Sequence, residues 1–136
     1  MKYPISTADG EQIEEAVSAI LSENSTAAGF PYSRDPVRLQ IEVEGTIIAG
    51  LTGYTCWSWL YIETLAVAAE HRGQGLGAAL VQEAERIGRD RDCHAVWVDT
   101  FSFQAPEFYR RLGYIPFGVL PDFPSGQERI FFPYSI

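Results

Sequence analysis

The sequence contains little cysteine, no long apolar run and few basic residues. Its two cysteines, Cys56 and Cys93, have no metal-like spacing, so we expect free thiols, no bound metal and a reducing, cytoplasmic compartment. No apolar run is long enough to span a bilayer. A net charge of −8 disfavours nonspecific binding to nucleic acid or to an anionic membrane surface. We therefore expect neither a nucleic acid nor a membrane among the partners of this protein.

The composition is that of an ordinary globular protein. Of its 136 residues, 46% are apolar and 21% are charged, which argues against disorder. The length suits one hydrophobic core, and the sequence shows no repeat, no low-complexity tract and no internal linker. These observations predict a single domain over residues 1–136.

Helical and strand patterns alternate along the chain and predict an α/β fold. Asp9 followed by Gln12 is typical of a capping box at the start of a helix. Glu44-Gly45 is typical of a tight turn between the two strands of a hairpin. The order of the elements predicts a mixed, mostly antiparallel central sheet flanked by helices. The predicted elements are a short strand at 2–6, a helix at 13–21, a loop at 23–36, strands at 38–43, 46–54 and 60–67, a helix ending near 90, a strand at 94–99, a helix at 104–112, and strands at 114–120 and 128–134.

A glycine-rich segment between a strand and a helix is the most informative part of the chain. Residues 59–67 are rich in the β-branched and aromatic residues that strands favour, and residues 76–87 place apolar side chains at helical spacing. Between them lies the sequence EHRGQGLG, residues 70–77. Such a turn points backbone N–H groups outward at the positive end of a helix dipole, where a phosphate can bind. Glycine is required where a Cβ would block close backbone approach or forbid a positive φ.

Two familiar phosphate-binding loops fit this segment poorly. A P-loop needs Lys and then Ser or Thr after its last glycine, but Gly77 is followed by two alanines. A Rossmann loop fits formally through Gly73, Gly75 and Ala78, with Asp99 at about the right distance. Its context does not fit, because those glycines should directly follow their strand and too few residues remain after Asp99 for the further parallel strands.

A third pattern, Arg/Gln-x-x-Gly-x-Gly/Ala, is met by Arg72, Gly75 and Gly77. It resembles the acetyl-CoA pyrophosphate loop of the GNAT superfamily of N-acetyltransferases. One helix and one strand downstream, APEFYRRLGY at residues 105–114 resembles the GNAT segment A-x-x-x-Y-x-x-x-G-F, with Tyr109 and Gly113 matching. The preceding run TFSFQA, at residues 100–105, is similar to that of a small bacterial GNAT subgroup. Taken alone, the loop could also be a glycine-rich turn that binds no ligand. The second segment makes this alternative much less favoured.

The resemblance implies a GNAT fold and transfer of an acetyl group from acetyl-CoA to a primary amine, without a metal. The loop N–H groups and the Arg72 side chain would bind the cosubstrate. The strand before the loop would splay from its neighbour, pair with the pantetheine arm like an added strand and offer N–H groups to the carbonyl oxyanion. Ser102 stands where the family often has a cofactor-contacting Asn. The candidate cosubstrate-binding residues are Leu65, Ala66, Val67, Arg72, Gly73, Gln74, Gly75, Leu76, Gly77 and Ser102.

Tyr109 is the candidate general acid under this resemblance. Its phenol, with an unperturbed pKa of about 10, can protonate the departing thiolate. Alternatively Tyr109 is a core aromatic, although Phe108 beside it would fill that role and leave Tyr109 to face the cosubstrate. Glu63, on the strand before the loop, is the candidate base, and a half-exposed structural carboxylate is an equally good interpretation. Tyr61 shares the strand face of Glu63, and Asp99 ends the neighbouring strand.

The acceptor and the assembly are less clearly indicated. In the family the acceptor pocket comes from segments that correspond here to residues 24–38 and 121–127, and peptide amines, polyamines and antibiotics all fit their composition. A non-catalytic acyl-CoA-binding sensor or regulatory module is the alternative to an enzyme. The apolar segment IFFPY, residues 130–134, predicts a homodimer through pairing at a sheet edge, unless it packs within its own sheet.

Overall fold

The structure, a computed structural model, describes residues 2–136. The chain divides into two compact units, residues 1–33 and residues 34–136. Beside this division, the single domain over residues 1–136 stays a prediction. The first unit contains helix α1 (Gln12–Ala27). The second contains β1 (Asp35–Val43), β2 (Thr46–Cys56), β3 (Trp59–Val67), a 3₁₀ turn (Ala69–His71), α2 (Leu76–Asp90), β4 (Ala95–Phe101), α3 (Pro106–Arg111), β5 (Gly118–Pro121) and β6 (Glu128–Ser135).

The six strands form one sheet in the order β1-β2-β3-β4-β6-β5. β3 and β4 run parallel, joined by the α2 crossover that parallel neighbours need, and the other neighbouring pairs are antiparallel. The predicted mixed, mostly antiparallel sheet is therefore confirmed. The predicted turn at Glu44-Gly45 is also present. Both of its residues have positive φ, 49° and 81°, as a tight two-residue hairpin turn requires.

The hydrophobic core of the second unit lies between the sheet and helix α2. Leu80, Val81 and Ala84 of α2 pack in one cluster with alternate residues of the strands, such as Ile62 and Val98. Because side chains alternate across a strand, the intervening residues face away from α2. Those residues include Tyr61, Trp97, Asp99, Arg129 and Phe131.

The sequence predictions for the first unit are partly wrong. Residues 2–6 form no strand, and Asp9 does not cap the helix, because α1 follows Glu11 without a side-chain capping bond. The helix also continues to Ala27, into the segment predicted as a loop. No Gly or Pro interrupts it before Gly29, whose φ of +90° is a left-handed conformation typical of a helix end.

Two predicted elements near the C-terminus are shorter than expected. α3 begins at Pro106, where the missing N–H of proline costs nothing. β5 begins at Gly118 instead of Tyr114. The Tyr114 side chain turns into the core, where its hydroxyl donates a hydrogen bond of 2.8 Å to Glu85.

The segment that motivated the predicted homodimer is paired within its own sheet in part. β6 is not an edge strand, since it lies between β4 and β5. The side of β6 that faces β4 is paired over residues 129–135, whereas the side that faces β5 is paired only over residues 128–131. The side chains of Ile130 and Phe132 are buried in the core of their own chain. Sheet-edge pairing of this segment is therefore wrong for residues 130 and 131, and the homodimer stays a prediction.

Candidate functional site

The parallel strands β3 and β4 separate halfway along their length. They pair only over Trp59–Ile62 and Ala95–Val98. The register between β2 and β3 also shifts here, so that Glu63 is an extra residue without a partner in β2. A bulge of this kind kinks its strand and increases the local twist. The end of β3 therefore turns away from β4, and a wedge opens whose first β4 residue is Asp99.

Gly53 makes the bulge possible. A Cβ on Gly53 would collide with the carbonyl oxygen of Tyr61 on the facing strand. Backbone cannot move aside as a flexible side chain can, so only glycine fits at this position. The sequence offered one signal for Gly53, a glycine inside a strand pattern, and Gly50 in the same strand gives the same signal.

The glycine-rich loop leaves a run of backbone donors open at the start of α2. Gly73 and Gly75 both have a φ of +78°, and an added Cβ on either would meet nothing within 4 Å. The first helical hydrogen bond runs from the Ala79 N–H to the Gly75 carbonyl, 3.0 Å, and no side chain caps the helix. The N–H groups of residues 73–78 have no acceptor among residues 2–136. This geometry suits a phosphate or pyrophosphate group.

Gly77 differs from Gly73 and Gly75, because a side chain added there would meet close neighbours. A Cβ on Gly77 would lie 3.3 Å from two ring carbons of Phe108 and 3.9 Å from Val67. Glycine here lets α3 approach the first turn of α2. Arg72 Nε donates a hydrogen bond of 3.1 Å to the Val67 carbonyl, which ties the loop to the end of β3. The loop, the wedge and α3 therefore meet at Val67.

Tyr109 is a core residue, contrary to the division of roles expected between it and Phe108. Its side chain is 4% exposed and packs against the rings of Tyr114 and Phe132, with centroid distances of 5.7 and 6.0 Å. Phe108 is half-buried and covers Gly77. Burial, and secondarily the charge of Asp99, raise the pKa of Tyr109 to about 12. The phenol therefore keeps its proton at neutral pH.

The Tyr109 hydroxyl nevertheless reaches the surface of its cluster. Among residues 2–136 no fully buried side-chain oxygen or nitrogen lacks a hydrogen-bond partner. Within the same residues the Tyr109 hydroxyl makes no hydrogen bond, so its oxygen is not completely buried. Tyr109 therefore combines a buried ring with a hydroxyl that no other residue engages, and the core and catalytic interpretations are compatible.

A network of polar side chains crosses the mouth of the wedge on the face away from α2. Asp99 accepts a hydrogen bond of 3.1 Å from the Tyr61 hydroxyl and one of 2.7 Å from Arg129 Nε. The Tyr61 ring stacks on Trp97 with a centroid distance of 3.9 Å. Burial, followed by the charge and hydrogen bond of Asp99 and then the charge of Glu63, raises the pKa of Tyr61 to about 12. Asp99 is thus more deeply engaged than the sequence suggested.

The remaining predicted site residues lie at the two sides of this network. Glu63 is exposed at the bulge. Ser102 links the end of β4 to the start of β6, because its hydroxyl donates to Gln127 at 2.7 Å and accepts from the Glu128 N–H at 2.9 Å. A contact between Ser102 and a cosubstrate stays a prediction, and it would have to share a hydroxyl that already makes two hydrogen bonds.

Residues 2–136 contain no group of three or more His, Cys, Asp or Glu side chains placed to hold a metal ion. Over the same range, no helix has the length and apolar character needed to cross a membrane. Cys56 and Cys93 are both free thiols, as predicted.

Comparison with known proteins gives consistent matches. The sequence profile described as the acetyltransferase (GNAT) family matches residues 10–114. A blasticidin-S acetyltransferase of Streptomyces morookaense is 42% identical over 83 residues, which cover 60% of this chain and 61% of that protein, less than two thirds of its length. An acetyltransferase of Agrobacterium fabrum is 30% identical over 132 residues, 94% of each chain. The crystal structure of an acetyltransferase from Bacillus cereus superposes with a TM-score of 0.86 and 31% identity, covering 97% of this chain and 98% of the other.

Proposed function

This chain belongs to the GNAT family of acetyltransferases, and from that premise we propose that it transfers the acetyl group of acetyl-CoA to a primary amine by direct attack. The observation that carries the proposal is the meeting of three features at Val67: the open loop N–H groups, the wedge between β3 and β4, and the helix that bears Tyr109. Each has a separate task in acetyl transfer.

The loop and the wedge are suited to hold the cosubstrate. Acetyl-CoA supplies an activated acetyl group when it is bound. The N–H groups of residues 73–78 would bind its pyrophosphate, and Arg72 would add positive charge. The backbone of Leu65, Ala66 and Val67 has no strand partner on its β4 side among the described residues, so it would pair with the pantetheine arm. The N–H groups of the same backbone would stabilise negative charge on the carbonyl oxygen.

Two side chains would manage the protons. Tyr109 would donate its phenolic proton to the departing thiolate, because the phenol is protonated at neutral pH and its hydroxyl makes no hydrogen bond within residues 2–136. The raised pKa makes it a weaker acid than an exposed tyrosine, so this role depends on its position beside the thiolate. Glu63, exposed beside the wedge, would accept a proton from the attacking amine, directly or through water. A neutral amine fraction at mildly alkaline pH reduces the demand on such a base.

A small-molecule acceptor is favoured over a protein. This preference is supported by the similarity to a blasticidin-S acetyltransferase, which is 42% identical to this chain over 60% of its length. The two free thiols support a reducing compartment, and we propose the cytoplasm.

The first test is whether the loop binds acetyl-CoA. In Gly75→Val, a β-branched side chain is forced to a φ of +78° and projects into the open space beside the N–H groups. We expect calorimetry to show loss of acetyl-CoA binding. Wild-type affinity in this variant would contradict the proposed binding mode.

Gly45→Val is the matched control for Gly75→Val. Gly45 has a φ of +81° and open space around it, but it lies in the turn between β1 and β2. The Gly45→Val variant should have the same backbone strain as Gly75→Val and should still bind acetyl-CoA. Release of free thiol on addition of an amine panel then separates an enzyme from a non-catalytic acyl-CoA-binding module.

A further inference from the structure

Arg129 is held rigidly beside the wedge by contacts on several sides. Its Nε donates a hydrogen bond of 2.7 Å to Asp99, whose side chain is only 9% exposed. Its guanidinium carbon lies 5.1 Å from the ring centroid of Phe131, 5.6 Å from that of Phe101 and 5.4 Å from that of Phe123. The hydrogen bond with Asp99 raises the pKa of Arg129 further. The cation is therefore permanent, and little entropy remains to be lost when it binds a ligand.

The terminal edge of this guanidinium is still available. Nη1 and Nη2 of Arg129 donate no hydrogen bond to residues 2–136, in which no fully buried polar side-chain atom lacks a partner. The side chain is 30% exposed, so these two nitrogens are open to the surface. A planar pair of N–H donors matches the two oxygens of a carboxylate or a phosphate. The surrounding phenyl rings lower the local dielectric and strengthen such a charged hydrogen bond.

The position of Arg129 separates it from the proposed cosubstrate loop. It faces Phe101 across the β4–β6 pair, at the end of β4 where the wedge is open. It lies on the sheet face that points away from α2, whereas the loop N–H groups begin α2. Because Arg129 binds Asp99, the first β4 residue of the wedge, its guanidinium lies at the wedge on this face.

We propose that Arg129 is an anion subsite for the acceptor, which would carry a carboxylate or phosphate in addition to its amine. The proposal rests on the function proposed above and adds the substrate class. The three phenyl rings would contact the part of the acceptor between its amine and its anionic group, and Asp99 would keep the guanidinium in place.

The test uses small probes that need no turnover. The Arg129 Nε–H resonance, assigned by its loss in Arg129→Gln, is followed by NMR while benzoate, phenyl phosphate or benzamide is added to the wild-type protein. We expect benzoate or phenyl phosphate to bind about tenfold or more tightly than the neutral isostere benzamide. The tighter of the two anions identifies the group. Equal binding of all three probes, or no binding of either anion, would overturn the proposal.

Variants locate the binding at Arg129. In the Arg129 variants, which lack the Arg129 Nε–H resonance, binding is followed by the backbone N–H resonances of Phe101 and Phe131. Arg129→Gln should bind benzoate no better than benzamide, and Arg129→Lys should keep part of the preference because it keeps the charge. Arg110→Gln is the matched control, since Arg110 is also paired with a carboxylate, Glu107, and lies 5.8 Å from the Phe132 ring. It should bind the anion as the wild type does. An undiminished anion preference in Arg129→Gln would refute the assignment.

A final titration distinguishes the acceptor from the cosubstrate. With coenzyme A at saturation, the anion should still bind; if coenzyme A displaces it, Arg129 contacts the cosubstrate and the proposal fails. Calorimetry of acetyl-CoA on the same samples reports the proposed function separately. If the wild-type protein binds the anion but not acetyl-CoA, the proposed acetyltransferase function is contradicted. If it binds acetyl-CoA but not the anion, only the proposed anion subsite is contradicted.

Discussion

Replacement of Tyr109 by Phe separates the catalytic from the structural role of this residue. The change keeps the ring that packs against Tyr114 and Phe132 and removes one hydroxyl. Because that hydroxyl makes no hydrogen bond within residues 2–136, its loss should change the free energy of unfolding by less than about 1 kcal/mol. If the phenol protonates the thiolate, kcat should fall by roughly 10²–10⁴. That fall corresponds to about 3–5 kcal/mol in the activation barrier.

Tyr114→Phe provides the opposite pattern within the same aromatic cluster. Its hydroxyl donates 2.8 Å to Glu85, which is 8% exposed, and burial with this hydrogen bond raises the pKa of Tyr114. Removal of the donor leaves a buried carboxylate short of a partner, which should cost about 1–3 kcal/mol of stability. Because Tyr114 lies behind Tyr109 in the core, kcat should change little.

The assay combines thiol release at saturating acetyl-CoA and amine with unfolding in urea. Tyr109→Phe should lose turnover with little loss of stability and with unchanged acetyl-CoA affinity, and Tyr114→Phe should lose stability with little loss of turnover. An unchanged kcat in Tyr109→Phe would refute the general-acid role. It would then favour protonation of the thiolate by water or a non-catalytic function.

Two further predictions concern stability at high pH and the bulge. Because burial raises the pKa of Tyr109 from about 10 in an unfolded chain to about 12, the folded state holds the proton longer, so stability present below pH 10 is lost as pH rises towards 12. The loss from this residue is at most about 3 kcal/mol. Urea midpoints at pH 9, 10 and 11 should therefore fall less steeply in Tyr109→Phe than in the wild type, and an equal fall in both proteins would contradict the role given to Tyr109. Gly53→Ala should destabilise the protein by about 2 kcal/mol or more, because the added Cβ collides with backbone, and it should also weaken acetyl-CoA binding. Gly118→Ala is the control: Gly118 has open space and an ordinary φ, so this change should be near neutral. Equal stability of the two alanine variants would show that the bulge does not depend on Gly53.

Local sequence signals located most of the second unit. Alternating and β-branched stretches identified all six strands, because a strand with one buried face shows its period directly. The glycine loop followed from spacing alone, since positive φ at Gly73 and Gly75 is a local requirement. The sequence predicts the end of α1 too early, because the polar residues after Leu21 are also typical of loops. The helix continues to Ala27 because no Gly or Pro interrupts it before Gly29.

Tertiary structure decided what the neighbours in sequence cannot specify. The sequence favoured Phe108 in the core and Tyr109 outside it, whereas in the structure Phe108 lies half-buried against Gly77 and Tyr109 is buried. β6 lies between β4 and β5, so residues 130 and 131 of the segment predicted to pair with a second copy are already paired on both sides. The network of Tyr61, Asp99 and Arg129 joins three strands through residues that are 38 and 30 positions apart in sequence. The sequence by itself determined the strand and helix periods and the loop, because those depend on neighbouring residues. Sheet order and helix packing depend on long-range contacts, and only they placed an arginine and a buried tyrosine beside the same wedge.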